Sequence, residues 1–461
     1  MPITTYKELA VRIEPRRDAV YPFSLGGLID GRGEFASPTA SPQFRALAAR
    51  LAALDTDERA LEAIGTTLFD LLFQGSARNA YSAAFGNVRA APDTGLRIRF
   101  EIPAAEAEVA ELPWEYLWDP DSGPLAMLDA PVVRYLPQPT VIPELAATLP
   151  LKVLLTGAQT PPATDVAAEL AEARAALADL EGRGLVAVTA EERLTAQTLQ
   201  RRLREGFHVW HFVGHGGLAR DGRTGALFFE DASGDPEAVN ALQLNILLNR
   251  SGVRLVVLSA CNSGSLNALA PFRSIAPALI RAQIPAVVAM QFSVPEDATR
   301  AFAGEFYRAL AGGLPIDGCM TEGRKAVMGA TGLGRPDWGI PVLYTRAASG
   351  RLFDLPAQPP GGVAAAGPQR VNTVTISGTG PGSTTNATVG TVLTGGARAG
   401  EQTAEAEALA KQIQLLKRRL WLLEEQKAKA GAFADPSIII QIEDLQQEIA
   451  AKERALAELR R

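Results

Sequence analysis

From Leu151 to Tyr344, short apolar β-branched runs alternate with stretches of helical spacing, and no other feature constrains the fold as strongly. Lys152-Val153-Leu154-Leu155 precedes a helix at 165–181, Leu185–Thr189 one at 195–205, and Val209–Val213 one at 240–249. Then come Arg254–Leu258, a helix at 273–282, Ala286–Met290, helices at 296–311 and 316–328, and Pro341–Tyr344. Strands that are apolar on both faces and separated by helices belong to a mostly parallel sheet covered on both sides. The expectation for 150–355 is an α/β domain. Ala226-Leu227-Phe228-Phe229-Glu230-Asp231 is expected to add a hairpin beside the third strand.

Residues 1–145 read as a smaller α+β region packed on that domain. Leu9–Ile13 and Leu96–Ile102 alternate with the period of half-exposed strands. Helical spacing covers 43–54 and 57–73, with Leu61, Ile64, Leu68 and Leu71 expected on one face. The aromatic stretch Leu112–Pro120 reads as a packed corner.

Beyond Leu355 the composition changes. Residues 356–400 are Pro/Gly-rich, then rich in Thr, Gly and Val, with two β-prone stretches inside 371–396 that cannot bury a core alone. Disorder, a marginal hairpin and in-register stacking with other copies all stay open for them. Residues 401–461 read as a helical hairpin with heptad spacing at Leu409, Ile413, Leu416, Leu420 and Leu423, repeated at Ile438, Ile442, Leu445 and Ile449. Two helices alone bury little, so the hairpin either docks on its own chain or associates with another copy or a partner protein.

Composition excludes several function classes. A net charge of -6 leaves no electrostatic footprint for nucleic acid or an anionic membrane. The two cysteines, Cys261 and Cys319, cannot form a disulfide framework or a cysteine-rich zinc module and fit a reducing compartment. The N-terminus lacks a secretory pattern, and no apolar run reaches the roughly 18 residues of a membrane span. The expected location is the cytoplasm.

All three histidines fall within eight residues, at 208, 211 and 215. Positions 208 and 211 are an odd number apart on a strand and therefore face opposite ways, and no cysteine or carboxylate cluster accompanies them. No metal site is expected, and His208 and His211 read as structural. His215, flanked by Gly214, Gly216 and Gly217, is expected just past the carboxyl end of its strand, where ligands bind in parallel sheets. Cys261 ends the next strand, in Val256-Val257-Leu258-Ser259-Ala260-Cys261-Asn262, 46 residues later. An imidazole beside a thiol activates a nucleophile and protonates a leaving amine.

His-Gly after one strand and Ser-Ala-Cys after the next resemble the bacterial CHAT family, caspase- and separase-like cysteine peptidases of clan CD. Leu112–Asp119, Pro131–Pro137, Ile284–Gln291 and Gly339–Tyr344 support the resemblance, which spans roughly 90–355. It implies a caspase-like α/β fold, Cys261 as nucleophile, His215 as general acid and base, and an oxyanion hole formed by the backbone N–H groups of Gly216 and Cys261. No cofactor is implied. The substrate pocket is expected at Gln291, Phe292, Ser293 and Asp297; an uncharged preference is favoured, and arginine stays open if Asp297 turns inward. The tail resembles segments appended to bacterial conflict-system proteins, implying a protease in antiphage defence or cell death, activated or recruited by a protein partner through 371–461. The alternative is an idle scaffold. Cys319, with no histidine near it in sequence, reads as packing, and Gly318–Lys325 lies in a helical stretch rather than a phosphate loop.

Overall fold

The computed structural model describes residues 3–128, 130–137, 143–160, 166–219, 224–261, 272–281, 283–290 and 295–355, with 445–447, 451, 452 and 454 near the C-terminus. The expectations for 356–400 and for nearly all of 401–461 lie outside the described residues. Residues 1–358 form one compact unit and 359–461 a second.

The first unit opens with strands β1 (Thr5–Ile13), β2 (Val20–Gly27) and β3 (Gly31–Ala36) and helices α1 (Pro42–Ala52), α2 (Glu58–Leu72) and α3 (Gly75–Arg89). Strand β4 (Thr94–Glu101), the one-turn helix α4 (Ala107–Ala110), the short pair β5 (Trp118–Asp119) and β6 (Gly123–Pro124), β7 (Val132–Tyr135) and β8 (Leu145–Ala146) follow. The alternating part comprises β9 (Leu151–Gly157), α5 (Val166–Gly182), β10 (Val186–Glu191), α6 (Ala196–Leu203) and β11 (Val209–Leu218). It continues through β12 (Gly225–Glu230), β13 (Pro236–Asn240), α7 (Ala241–Leu248), β14 (Leu255–Cys261), α8 (Phe272–Arg281) and β15 (Ala286–Met290). Helices α9 (Glu296–Ala311) and α10 (Ile316–Thr331) and strands β16 (Pro341–Thr345) and β17 (Phe353–Asp354) complete it.

One sheet runs β10-β9-β11-β14-β15-β16-β7-β4-β1-β2-β3, with the β12–β13 hairpin attached to β11. Strands β10, β9, β11, β14 and β15 are parallel to their neighbours, β15 and β16 are antiparallel, and β16, β7, β4 and β1 are again parallel. The fold is thus α/β with a mostly parallel sheet, and strands read from the sequence as two regions share it. The hairpin expected from 226–231 is β12 with β13.

The strand alternation sorts side chains into two cores. Val209, Leu255, Val257 and Val288 join the layer under α9 and α10, whereas Trp210, Phe212, Val256, Leu258 and Val287 join the layer under α6, α7 and α8. Each fully buried side chain of this size contributes about 1.5–3 kcal/mol of transfer free energy.

Helix α2 buries Leu61, Ile64, Leu68, Phe69 and Leu72, while Leu71 is only half-buried. The expected Leu71 is therefore displaced by its neighbour, because the 3.6-residue repeat carries the stripe from Leu68 to Leu72. The corner at 112–119 is packed as expected. Trp114 stacks on Phe100 with centroids 4.5 Å apart and donates from Nε1 to the Val109 carbonyl at 2.9 Å. Tyr116 donates its hydroxyl to the Pro336 carbonyl at 2.6 Å.

Candidate active site

His215 and Cys261 are register partners on the adjacent parallel strands β11 and β14. Cys261 is the last residue of its strand. His215, however, lies inside β11 rather than after it. Pairing of β11 with β9 ends at Val213, opposite Gly157, and β11 then continues through His215–Leu218 as one arm of a hairpin with β12. The glycines make this extension possible: a Cβ on Gly217 would stand 2.7 Å from the Phe228 ring, and one on Gly214 would stand 2.8 Å from the Phe212 ring. His215 is buried, with Cys261 opposite it on one edge and Phe228 opposite it on the other. Gly216 pairs in register with Leu227 of β12, one step beyond the end of β14. The parallel strands bring both residues to the carboxyl side of the sheet, where parallel sheets hold their ligand sites.

Beneath this pair lies a polar cluster inside an otherwise apolar layer. The His211 ring is buried, with Nε2 2.9 Å from Ser259 Oγ and Nδ1 3.1 Å from the Tyr307 hydroxyl of α9. Both ring nitrogens are engaged, one donating and one accepting, as a neutral imidazole requires. Burial pushes the pKa of His211 down to about 4, and burial raises that of Tyr307, so both stay uncharged at neutral pH. On the opposite face Trp210 donates from Nε1 to Thr156 Oγ1 at 3.0 Å. His208 accepts the Lys152 N–H on Nδ1 at 3.0 Å, and burial together with the Lys152 charge lowers its pKa. His208 and His211 thus hold strands together, as read. Among the described residues no group of three His, Cys, Asp or Glu side chains has the arrangement to hold a metal ion.

Of the expected pocket residues, Gln291, Phe292 and Ser293 lie outside the described residues. Asp297 is exposed in the first turn of α9, where its Oδ1 accepts the Ala298 N–H at 2.9 Å. A carboxylate there is favoured by the helix dipole. Cys319 is buried in α10, with its Sγ 3.6 Å from the Leu314 carbonyl, and burial, aided by Asp317, pushes its thiol well above the usual range. It is an inert packing residue. In the sequence Ser259 reads only as part of the Ser-Ala-Cys motif, without its link to His211, and Tyr307 is not anticipated. A serine between Leu258 and Cys261, in a strand otherwise apolar, was a usable signal, whereas Tyr307 reaches the site only through the packing of α9.

The protein-family comparison matches the CHAT domain over residues 63–338, more than half of the chain, and the protein belongs to the CHAT-domain family. Two solved structures illustrate what the chain is similar to. The Arg-specific cysteine proteinase gingipain R aligns with a TM-score of 0.39 at 12% identity, over 60% of this chain and 69% of that one. The separase–securin complex of Saccharomyces cerevisiae aligns with a TM-score of 0.34 at 12% identity, over 58% of this chain and 16% of that one. No curated protein matches. No helix among the described residues is long and apolar enough to cross a membrane.

Proposed function

We propose that the protein is a cysteine endopeptidase working through a His215–Cys261 dyad. The observation that carries this reading is the register pairing of His215 with Cys261 on adjacent parallel strands, at the carboxyl side of the sheet. In the proposed cycle the Cys261 thiolate attacks the scissile carbonyl, and the oxyanion is received by the backbone N–H groups of Gly216 and Cys261. His215 delivers a proton to the departing amine. The thioester is then hydrolysed by a water from which His215 takes a proton, which regenerates the thiol. A dyad suffices because the imidazole supplies both proton transfers.

The remaining chain supports recruitment by another protein. The heptad spacing of 401–461 and the β-prone segment at 371–396 are association elements by sequence, and the resemblance of this tail to segments of bacterial conflict-system proteins supports a role in defence or cell death. Asp297, exposed at a helix start, supports an uncharged rather than an arginine preference in the pocket.

The reading is tested by the pH dependence of Cys261 alkylation with iodoacetamide in the full chain, followed by peptide mass mapping. A dyad predicts a thiol that reacts well below the ordinary midpoint near 8.5 and loses that advantage in His215→Ala. Identical profiles in the two proteins contradict the dyad.

A further inference from the structure

The cluster of His211, Ser259 and Tyr307 has no role in the reaction just described, yet two of its members lie on the same two strands, within four residues of the pair that does. Ser259 is the register partner of Val213, so along β11 it stands midway between His211 and His215. On β14 it precedes Cys261 by two residues, and the two-residue repeat places positions 259 and 261 on one face of the sheet. The third member, Tyr307, comes from α9, the helix that begins just after the segment holding Gln291, Phe292 and Ser293. Three elements therefore meet at one imidazole: the strand bearing His215, the strand bearing Cys261, and this helix.

Packing alone does not call for polar groups here. The neighbouring positions on the same face of the two strands are Val209, Val213, Leu255 and Val257, all buried and apolar. An apolar side chain at 211 would fill the layer without any donor or acceptor to satisfy. What hydrogen bonds add over apolar contact is direction and a narrow distance range. A link of 2.9 Å across β11 and β14 and one of 3.1 Å to α9 restrict sliding and tilting of the two strands, from Ser259, two residues before Cys261, and His211, four residues before His215. Reacting groups displaced by as little as about 1 Å lose on the order of a hundredfold in rate.

We propose that His211, clamped between Tyr307 and Ser259, is a positioning residue that fixes β11 against β14 and α9 and thereby sets the separation of His215 and Cys261. The proposal rests on the peptidase reading and deepens it. His211 touches neither substrate nor reacting atoms in this account; it acts through the two strands.

The test uses the full chain and two conservative variants. Tyr307→Phe deletes one oxygen and leaves a His211 nitrogen without its partner. Tyr116→Phe is the matched control, deleting the same oxygen from another buried tyrosine, whose hydroxyl donates to the Pro336 carbonyl at 2.6 Å outside β11, β14 and α9. Stability by urea unfolding, kcat and KM on a peptide that the wild type cleaves, and the Cys261 alkylation rate at neutral pH are read for each. The expected result is comparable destabilisation of both variants, with kcat and alkylation lowered about tenfold or more in Tyr307→Phe alone and KM within about twofold. If both variants lose stability alike while kcat and alkylation stay at wild-type values, His211 is a structural residue and the proposal is wrong. Wild-type alkylation indifferent to His215→Ala would instead overturn the peptidase reading, and the positioning role with it.

Discussion

Arg134 grips Glu115 through two parallel hydrogen bonds of 2.9 Å, Nε to Oε1 and Nη2 to Oε2, and both side chains are buried. The pair joins strand β7 to the aromatic corner, two of the stretches on which the resemblance to the family rested. Burial works against the Arg134 charge, but the Glu115 carboxylate together with Tyr344 more than offsets it, and the pKa of the guanidinium is raised. Nη2 also reaches the Leu112 carbonyl at 3.2 Å, so the fork fixes the corner's backbone as well.

Removing Arg134 takes both arms of this fork from a buried carboxylate. Arg134→Met is expected to cost about 3–5 kcal/mol, because the buried Glu115 loses its two-armed hydrogen-bond partner. The double variant Glu115→Leu with Arg134→Met should recover most of that loss. Urea unfolding of the single and double variants checks this, and equal stability of Arg134→Met and wild type would refute it.

Gly65 lies where α2 meets the corner. A Cβ there would stand 2.1 Å from the Tyr116 carbonyl oxygen and 2.5 Å from Trp118 Cβ. Backbone at that distance cannot give way cheaply, so Gly65→Ala should destabilise by about 1–3 kcal/mol. Gly86, in α3 with nothing within 4 Å of its added Cβ, is the opposite case. Gly86→Ala should stabilise by roughly 0.5–1 kcal/mol through helix propensity. Thermal unfolding that moved both variants in the same direction would contradict the packing described.

His211 makes stability depend on acid. Its pKa is near 6.5 when unfolded and about 4 when folded, so between those values the unfolded chain binds the extra proton. Stability is therefore full above pH 6.5 and declines as the pH falls toward 4, by on the order of 3 kcal/mol from this group. His208, also lowered, acts in the same direction. His211→Gln cannot titrate and should flatten the decline in urea midpoint across this range. A variant with the wild-type slope would show that His211 is not the group responsible.

The parallel strands were legible because β9, β11, β14 and β15 are continuous apolar runs of the right length between helical periods. Strands β2 and β3 were not, because Pro22 and the pair Gly31 and Gly33 interrupt the strand pattern of sequences that nonetheless form an antiparallel ladder at the sheet's edge. Helix α3 was hidden by its polar and small residues. Its buried face is carried by Tyr81, Phe85 and Val88. The approach of His215 to Cys261 could be read from consecutive strand ends, which parallel pairing brings side by side. The extension of β11 through His215 could not, because three glycines around a histidine look like a turn until β12 supplies a partner strand.

Cleavage of a diverse peptide library by the full chain, read by mass spectrometry and compared with Cys261→Ala, decides whether the dyad is a peptidase. The dyad predicts cuts that share a preceding residue and vanish in the variant, with unfolding unchanged. Cuts that persist at the wild-type rate in Cys261→Ala would contradict it.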